Sequence, residues 1–262
     1  MKVQICIIVG FLVLCSLAMQ TTEPEIHIKF PEKNSRVQID GFGNIYIITE
    51  NEIVKYNALG IVQKKFSTKR YGRIDFVDAI NPLKILVYFR DFQQILFLDN
   101  QLTQSSDVIS FEKLGYEQAS LVCMSSNNGF WIYEKQNNEL CRFDSELKPI
   151  VKTGNLKRLL DFNIKPDFMV EHNNFLYMNC PAEGILIFDI YGTFYKTIPL
   201  KNLKEFTLVN GDVFYFENHA LKQYQSQTFN TIEKPFSDTL IKTVYWKNEH
   251  FYSVYQDSLV IH

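Results

Sequence analysis

The chain has 262 residues, of which 46% are hydrophobic and 15% aromatic, and its formal net charge is −2. That composition supplies a packed core and excludes an intrinsically disordered chain. The near-neutral balance, with no long run of one sign, excludes the basic footprint of a nucleic-acid binder and the polybasic patch of an anionic-lipid binder.

The first expected element is a targeting segment. Lys2 precedes a 14-residue apolar stretch, residues 5–18, which ends with the small residues Ser16 and Ala18 in an A-x-A-like arrangement. This is the pattern of a cleaved secretory signal peptide over residues 1–20, too short for a membrane span of about 20 apolar residues. Cys15 suggests a lipoprotein, but bulky Leu14 stands where a lipobox wants a small residue. The mature chain, 21–262, has no other apolar run of spanning length, so the expectation is a periplasmic or secreted protein. Its three remaining cysteines, Cys123, Cys141 and Cys180, sit in apolar stretches at irregular spacing and read as buried thiols rather than a disulfide framework.

The mature chain repeats itself. Tyr56, Leu98, Phe143 and Phe188 each precede Asn or Asp and follow one another at intervals of 42, 45 and 45 residues, with a weaker copy at Tyr224. A period near 40 is the mark of a solenoid or propeller. Upstream of each copy, an Asn- or Gly-rich turn leads into a short aromatic and β-branched run, as in GFGNIYIITE (41–50), SNNGFWIYEK (126–135) and VNGDVFYFEN (209–218). Such turns accept positive φ and such runs suit strands, so each unit reads as an antiparallel meander. A further strand precedes each turn, starting near residues 36, 73, 120, 167, 205 and 242, and a polar-alternating strand follows each copy. Four strands in each of six units predict an all-β, six-bladed propeller. Only 155–162 has helical character. The last unit ends at SLVIH with three strands, while EIHIKFP (25–31) is unassigned. The N-terminal strand is therefore expected to close the last blade and remove its exposed edge.

Asp189 and Gly192, within GILIFDIYGTFYKTI (184–198), fit this scheme as turn residues. Asn57 with Gly60, Asp99 and Asp144 fall at the same place in other units. Asp or Asn accepts backbone N–H groups there, and Gly permits left-handed backbone.

Turns such as FDIYGTF and DGFGNIYII give the mature chain a resemblance to NHL-type and TolB-like six-bladed propellers. DFVDAINPLKILVYF and GILIFDIYGTFYKTIPLK further resemble secreted bacterial propellers of uncharacterised activity. The resemblance implies a fold and carries no function. The fuller D-x-x-N-x-R-I signature of NHL repeats is replaced here by QNNELCRF or AEGILIF.

Chemistry in a propeller gathers at the channel mouth. Asp40, Asp75, Asp78, Glu171 and Asn210 are the polar residues placed to converge there, and Asp40, Asp78 and Glu171 are the candidate metal ligands. Oxygen ligands of this kind hold Ca²⁺ in lactonase-like propellers, although solvated or turn-capping acids account for the same residues. The histidines are scattered, with His172 and His250 read as exposed turn residues. No nucleophile elbow, phosphate loop or dinucleotide fingerprint occurs. Aromatic residues such as Trp131 and Tyr133 read as inter-blade packing, with sugar stacking as the alternative. Lys69, Arg70 and Arg73 form the most basic cluster, on a loop between blades, and are candidates for contact with an acidic partner. The sequence thus leads to an exported, non-enzymatic propeller, without a cofactor, that binds another envelope or extracellular protein or a small ligand. The alternative is a Ca²⁺-assisted, lactonase-like hydrolase.

Overall fold

A computed structural model describes residues 25–262, and the expected signal peptide lies outside the described residues. The N-terminal strand β1 (Ile26–Lys29) is followed by five complete blades. The first blade is β2 (Arg36–Ile39), β3 (Ile45–Ile48), β4 (Glu52–Tyr56) and β5 (Val62–Ser67). The second is β6 (Phe76–Asp78), β7 (Ile85–Phe89), β8 (Gln94–Leu98) and β9 (Ile109–Ser110). The third is β10 (Ala119–Met124), β11 (Phe130–Glu134), β12 (Glu139–Phe143) and β13 (Pro149–Lys152). A short helix, α1 (Leu156–Leu160), links it to the fourth, β14 (Phe168–His172), β15 (Phe175–Cys180), β16 (Gly184–Asp189) and β17 (Phe194–Ile198). The fifth is β18 (Thr207–Val209), β19 (Asp212–Glu217), β20 (Ala220–Tyr224) and β21 (Thr231–Pro235). The sixth contains β22 (Thr243–Lys247), β23 (His250–Val254) and β24 (Ser258–Ile261), and β1 completes it.

Each blade is a four-stranded antiparallel sheet, five of them meanders in sequence order, so the six-bladed expectation holds. Closure holds as well: Ile26 pairs with Ile261 and Ile28 with Leu259, which gives the last blade its outer strand. Asn155 caps α1, its side chain accepting from the Arg158 amide, where helical character was expected.

The core is divided among the seams between blades. Middle strands are buried on both faces, and alternate residues serve different seams. On β7, Ile85, Val87 and Phe89 pack toward the first blade, while Leu86 and Tyr88 pack toward the third. Trp131 and Tyr133 fill the seam between the third and fourth blades and are buried, as inter-blade packing requires. Ile28, Phe30, Val37, Ile45, Tyr252 and Leu259 fill the seam across the closure. Outer strands such as β5 and β21 are exposed. Cys123, Cys141 and Cys180 are buried free thiols.

The repeated turn has one geometry. Asp189 Oδ1 accepts the amides of Tyr191 at 2.9 Å and Thr193 at 2.8 Å. Asp99, Asp144 and Asn57 accept the amides two and four residues on in the same way. The residue three positions on is left-handed every time: Gly60, Leu102, Leu147 and Gly192, with φ of 72°, 57°, 64° and 81°. Asp189 and Gly192 are turn residues. The fifth blade departs from the pattern, with Gln225 at the turn and Phe229 taking the positive φ.

Candidate functional site at the channel mouth

A four-stranded meander puts the turn after its first strand and the turn after its third at the same end. One face of the ring therefore carries every hairpin of these two kinds. The first strands neighbour one another around the axis, as β10 does with β6 and β14, and β18 with β22. Their ends bring Asp40, Asp78, Ser125, Glu171, His172, Asn210 and Lys247 to one mouth of the channel.

Each acid there is held by protein donors. Asp40 Oδ1 accepts the amides of Phe42 at 2.8 Å and Asn44 at 2.9 Å, and its Oδ2 accepts the Tyr46 hydroxyl at 2.9 Å. Asp78 is 2% exposed, with Oδ2 accepting the Met124 amide of the next blade and Oδ1 the Ile80 amide. Burial pushes the Asp78 carboxyl up, against the pull of these two amides and of Lys247. Glu171 joins the fourth blade to the third. It accepts the Ser125 hydroxyl at 2.7 Å, the Ser126 amide at 2.8 Å and the Trp131 indole at 2.5 Å. Arg142 stands 3.9 Å from it, bonded to Ser125 Oγ and to the Ile190 carbonyl. Burial raises the Glu171 carboxyl, but the hydrogen bonds from Ser126, Ser125 and Trp131 together bring it below the usual range.

Lys247 donates to the Ile39 carbonyl at 2.8 Å. Burial lowers its ammonium, and Asp40 and Asp78 oppose that shift. His172 is the last residue of β14 and is half-buried rather than an exposed turn residue, with a buried Nε2 that has no protein partner. Burial and then Lys247 hold its imidazole below the ordinary value. The first strand places it in the channel wall, which its position beside a turn in sequence did not reveal.

Of the expected group, Asp40, Asp78, Glu171 and Asn210 share this mouth. Asp75 begins β6's approach from the other end of the channel, where Arg90 pairs with it at 2.7 Å. Lys69, Arg70 and Arg73 lie on the inter-blade loop of that opposite face. There Arg73 stands 3.8 Å from Glu50 and Arg70 lies over the Tyr71 ring. Lys247, Arg142, Ser125 and Ser126 were not singled out from sequence. The repeat alignment carries the signal for Lys247, which precedes Asn248 at the same step that Asp40 precedes Gly41.

Three His, Cys, Asp or Glu side chains do not come together as a metal-ligand group among the described residues. The carboxylates of Asp40, Asp78 and Glu171 point at donors in different blades rather than at one centre.

The hairpin face is tied from blade to blade. Asn248 donates to the Gly41 carbonyl, Lys84 to the Asn128 carbonyl and Lys55 to the Asn100 carbonyl. On this braced face Phe42, Ile80 and Leu83 are 73%, 41% and 67% exposed. They stand in two adjoining turns, with Gly41 against the Ile80 carbonyl.

Solved structures share this architecture. A catalytically inactive His-to-Ala variant of virginiamycin B lyase from Staphylococcus aureus, with quinupristin, matches at 16% identity and TM-score 0.57, over 88% of this chain and 81% of that one. A streptogramin B lyase matches at 14% identity and TM-score 0.57, over 86% and 77%. BBS1N in complex with ARL6DN matches at 10% identity and TM-score 0.56, over 87% and 76%. These likenesses concern the fold. No protein-family model matches the chain, and no curated protein matches it significantly.

Proposed function

We propose that this chain is an exported, non-enzymatic propeller whose hairpin face is an interaction scaffold for another envelope or extracellular protein. The observation that carries this is the exposure of Phe42, Ile80 and Leu83 on turns braced to their neighbours. Adjacent large apolar side chains on a rigid polar surface mark a docking site, because their burial is favourable and little ordering entropy opposes it. The expected signal peptide supports export. No helix among the described residues is long and apolar enough to cross a membrane. A propeller neighbour is itself in complex with a protein, which agrees with a scaffold role without naming the partner here.

The polar residues of the mouth support the same reading. The bonds of Asp78, Glu171 and Lys247 fasten one blade to the next and those of Asp40 hold its own hairpin, so they serve the rigidity of the face. A Ca²⁺-assisted hydrolase would need Asp40, Asp78 and Glu171 to release these donors and turn to a common point. The test is affinity capture of the tagged mature chain from the cell envelope, beside a Phe42→Ser, Leu83→Ser variant. A partner retained by the parent and lost by the variant supports the scaffold. Equal recovery by both contradicts it.

A further inference from the structure

The seam between the fifth and sixth blades is packed least. Among the described residues only Phe214, Leu221, Ile241 and Val244 are buried in its core, where the other seams bury long series from both blades. A cleft of about 580 Å³ opens there on the flank of the ring. Glu25, His27, Phe236, Asp238, Tyr255 and His262 line it, and so do Ile241 and Val260. This volume is in the range of small-molecule sites.

The polar groups of the cleft are fixed. Asp238 Oδ2 accepts the Tyr255 hydroxyl at 2.9 Å and its Oδ1 the Leu240 amide at 2.9 Å. Glu25 Oε1 lies 3.0 Å from His262 Nδ1 and Glu25 Oε2 3.5 Å from His27 Nε2, and His262 Nε2 lies 3.1 Å from Ser253 Oγ. The order Ser, His, Glu is that of a nucleophile relay, but Ser253 is fully buried and meets no substrate. Its part is to orient His262. What remains on offer is two carboxylates beside a wall of Phe236, Ile241, Tyr255 and Val260. No lysine or arginine among the described residues lines the cleft.

We propose that this cleft binds a small organic cation, a primary amine with an aromatic arm. The ammonium is recognised by the Glu25 and Asp238 carboxylates, each of whose oxygens meets one protein group and keeps a second lone pair for its protons. The arm packs on Phe236, Ile241 and Tyr255. Because β1 supplies one wall, a bound amine also stabilises the closed ring by mass action.

The experiment is an amide-resolved NMR titration of the mature chain with phenethylamine, and with phenylacetate in parallel. Saturable shifts of the His27, Ile241 and Val260 amides are expected with the amine and not with the acid. Asp238→Asn and Glu25→Gln should each weaken the amine about fivefold, the value of one half-exposed charge pair, with spectra otherwise like the parent. Absence of saturable shifts, shifts centred elsewhere, equal binding of phenylacetate, or parental affinity in both variants would overturn the proposal.

Discussion

His262 Nδ1 lies 3.0 Å from Glu25 Oε1, across 237 residues of sequence. The contact stands at the end of the β1–β24 ladder and joins the two ends of the described chain. Its energetic weight is small, because the Glu25 side chain is 53% exposed. The closure depends instead on Ile28, 3% exposed and packed with Val37, Ile45 and Leu259. Glu25→Gln is therefore expected to cost at most about 1 kcal/mol of unfolding free energy. Ile28→Ala should cost about 2–5 kcal/mol. Denaturant midpoints of the two variants check the order.

Glu171 provides a second test, inside the ring. Removing it leaves Arg142 buried without its carboxylate and strands the Trp131 indole N–H. Glu171→Ala should cost roughly 3–5 kcal/mol. The folded carboxyl is held below the usual range, so its stabilisation is present above the unfolded-state value and is lost as pH falls through the lower folded one. Below about pH 4.3, the ordinary glutamate value, the parent should lose stability more steeply than Glu171→Gln. Thermal unfolding from neutral to acid pH measures this.

The glycines of two turns should differ in their tolerance. Gly192 has φ +81°, and an added Cβ would meet the side-chain methyls of Thr153 and Val151 at 2.8 Å. Gly192→Ala should cost about 1–2 kcal/mol for the left-handed backbone, with relief available from the methyls. At Gly129 the Cβ would fall 1.8 Å from the Phe143 carbonyl oxygen. Backbone cannot yield as a methyl does, so Gly129→Ala should cost more than Gly192→Ala, about 3 kcal/mol or beyond. Chemical denaturation of both variants ranks them.

The blades were legible because their signals are local. Asp99, Asp144 and Asp189 recur with the period of the fold, and the unassigned strand near Ile28 matched a blade lacking its fourth. The channel mouth was only partly legible, since its contacts join residues about one blade apart in sequence. Ser125 with Glu171, and Met124 with Asp78, are separated by 46 residues. The repeat could place Asp78 and Glu171 at strand ends, but not show that neighbouring blades bind them. His172 looked like a turn residue because sequence proximity to Asn173 says nothing of the channel wall. The flank cleft had no signal, as it arises where packing between two blades falls short.

The most direct test of the scaffold is site-specific photocross-linking in living cells. A photoreactive side chain would replace Phe42, at the hairpin face, and Lys64, on the exposed outer strand β5. The account predicts one reproducible protein adduct from position 42 and none from position 64. An adduct from position 64 alone, or no adduct from position 42, would contradict it.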